Sequence, residues 1–376
     1  MKGADFTTYQ AKIKVIGVGG GGCNAVDRMV RGGVEGVEFI AVNTDAQDLM
    51  KVRVPLRVQI GEKLTKGLGV GGDFELGRKS AEESRDTLAE LISGTDLLFI
   101  TAGMGGGTGT GAAPVIAELG KQAKALTIAI VTKPFTFEGS VRRQKAEAGI
   151  NELVEKVDTL IIIPNDRLLT ICDYRVSVEQ AFAMADEVLW NGVRGISELI
   201  TVPGVINLDF ADVKTVMSEA GPAWMGIGRG SGPNRAIEAA KAAISSPLLD
   251  TSIEGAKGVL LNFTGGDSLS ISEVHEAAEL IRQSVDPDAN IIFGVAHDPD
   301  MDDEIKVTII ATGFAGGRKM YAPKEEEIRQ LLKSLKEEDK LDVPAFMRHP
   351  LPPRKQQRVA PLTETSATSP DGAEVR

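Results

Sequence analysis

The sequence predicts an α/β fold in two bodies: a parallel sheet covered by helices, a long connecting helix, and a smaller α/β domain with a mixed sheet and a disordered tail. Three observations carry that prediction. Apolar runs of strand length, such as Asp96-Leu-Leu-Phe-Ile100 and Thr159-Leu-Ile-Ile-Ile163, alternate with helix-patterned segments. Continuous runs of this kind belong to parallel strands buried on both faces. One amphipathic stretch, Ser177 to Val202, has the length of a spine between two bodies. Finally, glycine clusters at Gly17–Gly22 and Gly105–Gly111 follow directly on apolar runs, as strand-to-helix turns do.

In chain order, Ile13–Gly19 is a strand that runs through Gly20–Gly22 into a helix from Asn24 to Arg31. Val37–Asp45 is the second strand, followed by a helical segment from Ala46 to Lys51 and a strand at Leu56–Ile60. A glycine-rich loop, Lys66–Gly72, leads into one charged amphipathic helix reaching Ile92. After the strand Asp96–Ile100 and the loop Thr101–Gly111, a helix spans Ala112–Leu119 with Pro114 in its first turn, where its missing N–H is harmless. Leu126–Val131 and Thr159–Ile163 are further strands, joined by a helix from Ser140 to Val157.

The long helix opens on a capping-box pattern, Ser177 with Gln180, and Pro203-Gly204 ends it. Its stripe is Val178, Phe182, Ala185, Leu189, Val193, Ile196 and Ile200. Beyond it lie strands at Trp224–Gly228, Ala256–Phe263, Asn290–Ala296 and Ile305–Ala311, with helices starting at Arg235 and Ser270. The last two strands are joined by a short acidic turn, Asp298 to Glu304, which makes this sheet mixed. The expected organisation is therefore residues 1–176 as the first domain, 177–202 as the connecting helix and 203–317 as the second domain. A charged linker (318–340), a short apolar peptide (341–349) and a disordered tail (350–376) follow.

Composition removes several function classes. A net charge of −11 and only 5% aromatic residues argue against nucleic-acid binding. The two cysteines, Cys23 and Cys172, and the three histidines form no ligand-like spacing, so no protein metal site is expected. Nothing has the pattern of a signal peptide or a membrane span, so a cytoplasmic protein without membrane insertion is expected.

The chemistry lies in the glycines. Each cluster frees backbone N–H groups at the start of a helix, where the dipole adds positive charge, and so makes a seat for phosphate. In the second cluster, Thr108 and Thr110 add hydroxyl donors. Gly17-Val-Gly-Gly-Gly-Gly22 also fits GxGxxG, and Asp45 ends the following strand, as in a dinucleotide fold. That fold has no use for a second phosphate-type loop; two loops suit one polyphosphate gripped from two sides. Gly72-Asp-Phe-Glu-Leu-Gly-Arg78 misses the P-loop pattern for want of its Lys-Ser/Thr.

Gly105-Gly-Gly-Thr-Gly-Thr-Gly111 matches the tubulin-type signature, and further motifs accompany it. They are Gly19–Val26, Asn43-Thr-Asp45, Lys133–Gly139, Pro164–Leu169 and Asn207-Leu-Asp-Phe-Ala-Asp212. From about Lys12 to about Gly317 the chain resembles the FtsZ family, the bacterial tubulin-like cell-division GTPases. The resemblance implies a GTP/GDP site, with Mg²⁺ bound mainly through the nucleotide phosphates. Gly20, Gly21 and Gly22 with Gly107, Thr108 and Gly109 would hold the phosphates, and Glu138 and Arg142 ribose and phosphate. Asn24, Asn165 and Asp186 would read guanine while Phe182 stacks on it. Cys23, Asn43, Thr44, Asp45, Gly103, Gly105, Gly106 and Thr132 complete the implied set. Asp186 also stands out by itself, because a carboxylate beside an apolar stripe is costly unless it has work to do.

Asp209 reads plainly as the cap of a helix starting at Phe210, with Asp212 in its first turn. The resemblance implies more: Asn207, Asp209 and Asp212 would enter the nucleotide site of the next subunit and position the attacking water. Hydrolysis would then depend on head-to-tail self-assembly into an open filament. It further implies that Leu341–Arg348, within the 341–349 peptide, docks on membrane-anchoring and regulatory division proteins at mid-cell. Two other readings stay open here: an NAD-dependent oxidoreductase built on the first glycine cluster, and a tubulin-like scaffold that binds GTP without hydrolysing it.

Overall fold

The computed structural model describes residues 11–314 apart from 35, 171–175, 202–207, 249–251, 300 and 302. The first six strands are β1 (Ile13–Val18), β2 (Val37–Asn43), β3 (Leu56–Gln59), β4 (Leu97–Gly103), β5 (Leu126–Lys133) and β6 (Thr159–Pro164). They are followed by β7 (Gly221–Ser231), β8 (Gly258–Gly265), β9 (Asn290–His297) and β10 (Glu304–Thr312). Their order in the sheet is β3-β2-β1-β4-β5-β6-β7-β10-β8-β9. Every pair from β3 to β7 is parallel, β10 runs antiparallel to both β7 and β8, and β9 is parallel to β8. The sheet is mixed, as expected, but the last two strands do not pair. β8 lies between them, and a helical segment, Ile271–Arg282, carries the chain from β8 to its parallel neighbour β9.

The helices are α1 (Gly19–Arg31), α2 (Ala46–Lys51), α3 (Glu62–Thr65), α4 (Phe74–Glu83), α5 (Arg85–Ile92) and α6 (Thr108–Gln122). Then come α7 (Ser140–Val154), α8 (Asn165–Leu168), α9 (Val178–Thr201), α10 (Phe210–Met217), α11 (Arg235–Ile244) and α12 (Ile271–Arg282). On one face α1 and α9 pack Val26, Met29, Leu189 and Val193 against Val15, Phe99, Ile130 and Ile161. On the other, α4 to α7 cover Ile16, Ile100, Val131 and Leu160. A separate core joins α11 and α12 to β8 and β10.

Helix boundaries differ most from the sequence expectation at the starts of α1 and α6 and within the segment that ends at Ile92. α1 begins at Gly19 and α6 at Thr108, so Gly19–Gly22 and Thr108–Gly111 form helical first turns, while Gly17 lies in β1 and Gly105–Gly107 precede α6. Glycine is a poor helix former, but close backbone packing overrides propensity here. A Cβ on Gly111 would collide with Phe74 O and come within 2.6 Å of Arg78 N on α4. Pro114 consequently stands in the second turn of α6. The helix expected to reach Ile92 is broken at Ser84, whose hydroxyl accepts the Gly61 N–H at 3.2 Å.

The long helix holds closely to expectation. Ser177 and Gln180 exchange capping bonds of 2.9 and 3.2 Å, and Ala185, Leu189, Val193 and Ile196 are buried. It bridges the two halves of the sheet by approaching at glycines. A Cβ on Gly192 would meet Ile130 at 3.1 Å and Met225 at 3.3 Å, and one on Gly195 would meet Thr308 at 3.2 Å.

Gly111→Ala should lower stability by about 1–3 kcal/mol, because the obstructing atoms are backbone and cannot swing aside. Gly106→Ala, whose Cβ meets nothing within 4 Å, should stay within about 0.5 kcal/mol of the parent. Urea unfolding of the two variants checks both.

Candidate functional site

The strand order reverses around β1, which has β2 on one side and β4 on the other. In open α/β sheets the crevice beyond the C-terminal strand ends at such a switch point is where ligands bind. Here that crevice is an open cleft of about 280 Å³. Both glycine-bearing helix starts open onto it, α1 through Gly19–Gly21 and α6 through Gly106–Gly109. The two starts nearly touch: a Cβ on Gly19, at φ +71°, would lie 2.7 Å from Gly109 N. Their first-turn N–H groups have no partner within the helix and face the same space. In front of Gly20 and Gly106 that space is empty. A Cβ on Gly20 would meet only Asp48 at 3.8 Å, and one on Gly106 nothing within 4 Å.

Gly103, Gly107, Thr108 and Thr132 complete this wall. Asn43 and Asp45 line the cleft beside β2. Asp45 caps α2, its Oδ1 accepting the Gln47 and Asp48 N–H groups at 2.9 and 3.2 Å.

The opposite end of the cleft is lined by Glu138, Arg142, Asn165, Phe182 and Asp186. Glu138 pairs with Arg142 Nε at 3.2 Å and accepts the Phe135 N–H at 2.8 Å, so the helical-turn pair expected there forms. Phe182 stands edge-on to Phe135, with ring centroids 5.4 Å apart, and keeps 41% of its surface exposed. The Asn165 side chain is buried, and its Oδ1 has no hydrogen-bond partner among the described residues. Such an acceptor is costly unless something in the cleft donates to it. Burial of Asp186 on the apolar side of α9 pushes its carboxyl up to about 6, against the opposing effect of Arg28, whose Nε lies 3.0 Å from Oδ2.

Several residues of the expected set lie elsewhere. Gly22 packs α1 on β4, where a Cβ would strike Thr101 O. Cys23 points into the core toward Gly17 O and Val42 O, and burial pushes its thiol up to about 12. Asn24 lies on the exposed side of α1, outside the cleft lining. Gly105, at φ +95°, donates its N–H to Thr110 Oγ1 at 2.8 Å. Thr110 thus pins the loop from behind and does not face the cleft. Thr44 is fully buried, its hydroxyl 2.8 Å from that of Thr108. Conversely, the wall formed by Gly69–Gly72 and Asp48 was not anticipated, although the glycine-rich run at Lys66–Gly72 was a visible signal.

The acidic pair is at the other end of the molecule. Asp209 caps α10 by accepting the Ala211 N–H at 3.3 Å, and Asp212 is exposed in the first turn. The last turn of α10 meets the start of β6, where Thr159 donates to Met217 O. α9 runs between these ends: Phe182 and Asp186 line the cleft, while Thr201 abuts Gly36 just ahead of β2. Its 24 residues span about 36 Å. Asn207 lies outside the described residues, as do the linker, the 341–349 peptide and the tail.

Among the described residues, no cluster of three or more His, Cys, Asp or Glu is placed to hold a metal ion.

Residues 12–173 match the Tubulin/FtsZ family, GTPase domain, and residues 221–315 match the FtsZ family, C-terminal domain. Among solved structures, an empty FtsZ dimer from M. jannaschii is 44% identical, with a TM-score of 0.79, over 82% of this chain and 89% of that one. A GDP-bound monomer of CetZ1 from Haloferax volcanii is 25% identical, with a TM-score of 0.68, over 82% of this chain and 97% of that one. CetZ2 from the same organism, a GTPγS-bound protofilament, shares the fold at 20% identity and a TM-score of 0.69, over 88% of this chain and 100% of that one.

The Asp186 carboxyl sets a pH dependence. Its folded-state pKa is raised, so between about pH 4 and pH 6 the folded state holds more protons than the unfolded one, and stability falls as pH rises. Asp186→Asn should remove that fall and be more stable than the parent at pH 7, by on the order of 1–3 kcal/mol. Ligand-free denaturation curves from pH 4 to 8 measure it.

Proposed function

The chain belongs to the FtsZ family of tubulin-like proteins and carries its GTPase domain, and from that premise we propose an assembly-activated GTPase. Its active site is completed when two copies stack head to tail. The observation that carries this reading is the separation of two parts along α9. The phosphate cradle lies at one end of the sheet, and Asp209 and Asp212 lie exposed at the other. Neither acid can reach the cleft of its own chain, whereas stacking in one direction brings the acidic end of one copy onto the cleft of the next.

Within one chain the acids that line the cleft are already engaged. Asp45 caps α2, Asp48 pairs with Lys51 at 2.8 Å, Glu138 with Arg142, and Asp186 with Arg28. The acids of the next copy then orient and polarise water for attack on the γ-phosphate, with Asn207 in the same loop. Phosphoryl transfer asks mainly for such positioning and for charge neutralisation. Exposed apolar side chains within two residues of cleft-lining positions also support self-association: Met50, Leu68 and Phe137 are 77%, 65% and 62% exposed. A contact of this head-to-tail kind does not close and builds a filament.

In this reading the helix-start N–H groups and the Thr108 hydroxyl hold the phosphates. Asp186 accepts from the ring N–H and amino group of guanine, the Asn165 amide completes the base edge, and Phe182 stacks on the ring. Glu138 and Arg142 hold ribose and phosphate. Asp45, Asp48 and Thr108 give the cleft hard oxygen donors of the kind Mg²⁺ takes beside nucleotide phosphates and water; when bound it would neutralise phosphate charge.

The same proposal includes the division of the chain at 177–202, a division-ring role at mid-cell in the cytoplasm, and docking of residues 341–349 on anchoring proteins. The dinucleotide reading has no comparable support, since the second cradle would be idle in it.

GTP turnover per subunit should be near zero at low protein concentration and rise together with light scattering above a threshold. Flat turnover without scattering would overturn the split site. Asp209→Ala should bind GTP and still scatter, with turnover lowered by about 100-fold or more. Full turnover in polymerised Asp209→Ala would remove the acidic loop from the mechanism. Gly106→Asp, which adds a like charge to the phosphate seat without a clash, should abolish GTP binding in a nucleotide titration while leaving the melting temperature in place.

A further inference from the structure

We propose that Thr44 is a positioning residue of the phosphate seat, acting on a bound nucleotide through the hydroxyl of Thr108 rather than by contact. The proposal rests on the GTP-site reading above and identifies a part of the seat that never touches the ligand. Thr108 lines the cleft and Thr44 does not. Thr44 is 0% exposed and Thr108 7%, and their Oγ1 atoms are 2.8 Å apart, close enough for either to donate. The pair spans 64 positions in sequence and joins the end of β2 to the first residue of α6. Thr44 is itself held by the preceding side chain, as Asn43 Oδ1 accepts its N–H at 2.9 Å. On its other flank Thr108 is bounded by α1, since a Cβ on Gly19 would lie 3.5 Å from Thr108 Cβ.

A phosphate oxygen only accepts. Facing one, Thr108 must give its single hydroxyl proton to the ligand, and its oxygen is then open to a donor from behind. Thr44 is that donor. The two hydroxyls align as a one-way chain, Thr44 O–H to Thr108 O–H to phosphate oxygen, in which each bond polarises the next. Because Thr44 is sealed from solvent, no water takes over if its hydroxyl is removed, and the Thr108 rotor loses its bias toward the ligand.

The test is a calorimetric titration of the full chain, below the assembly threshold, with GTP, GDP and guanosine. Thr44→Val keeps the shape and removes the hydroxyl; it should weaken GTP and GDP about three- to tenfold and leave guanosine unchanged. Thr44→Ser, which restores the hydroxyl without the methyl, should recover binding to within about twofold of the parent. In a Thr108→Val background, Thr44→Val should add nothing further. Should Thr44→Val melt too low to titrate, Thr44→Ala carries the same expectation. Parent-like GTP binding by Thr44→Val would overturn the proposal. So would equal weakening of all three ligands, which marks Thr44 as packing alone. If the parent chain itself fails to bind GTP more tightly than guanosine, the phosphate seat is wrong and this inference falls with it.

Discussion

The structure depends on one close approach, that of the first turns of α1 and α6. Two parallel neighbours, β1 and β4, deliver these helices to the same point, with Gly19 and Gly109 nearly in backbone contact. Any side chain at Gly19 would need both a left-handed backbone and the space taken by Gly109. Glycine satisfies both conditions and exposes N–H groups of two helix termini to one cavity. The glycines behind the cradle have another task. Gly22 and Gly111 let α1 settle on β4 and α6 on α4, and so hold the two termini at that spacing. Flexibility is not what this run of glycines provides; it provides contact between backbones.

The second constraint is α9. It lies against both halves of the sheet at Gly192 and Gly195, and its apolar stripe shares one core with β5, β6, β7 and β10. A carboxylate on such a helix loses hydration, which is why Asp186 sits well above the usual carboxylate range despite Arg28. In the proposed GTP site, guanine recognition would use that cost, since a base edge with two donors supplies what burial removes. The same helix sets the distance between the cleft and the acidic end, the distance on which the proposed split site turns.

Much of this was legible in the sequence because the signals were local. Continuous apolar runs marked β1, β4, β5 and β6, the Ser177–Gln180 pattern marked the start of α9, and Asp209 marked the start of α10. The misreadings arose where a long-range contact outweighs a local preference. Gly19–Gly22 and Thr108–Gly111 are helical although glycine disfavours it, and at Gly19, Gly22, Gly109 and Gly111 neighbouring backbones leave room for nothing larger, which propensity cannot reveal. Thr110 reads like Thr108 in sequence, yet a hydrogen bond to Gly105 turns it away from the cleft. β9 and β10 are consecutive but not adjacent, because β8 lies between them and the short connection after β9 passes it to reach β10.

The sequence by itself determined the fold class, the family, and the residue types from which the proposed GTP site is drawn, since these follow from periodicity and from short motifs. Only the tertiary structure decided which of those residues reach the cleft. Cys23, Thr44 and Gly22 share a motif with true lining residues, but side chains on a helix or strand alternate between neighbours, so adjacency in sequence does not confer a shared face. Only the tertiary structure, likewise, put the cradle and the acidic pair at opposite ends of the sheet. That separation comes from the direction in which α9 packs across the strands, which no motif encodes, while its length was already marked by the cap and the stop signal.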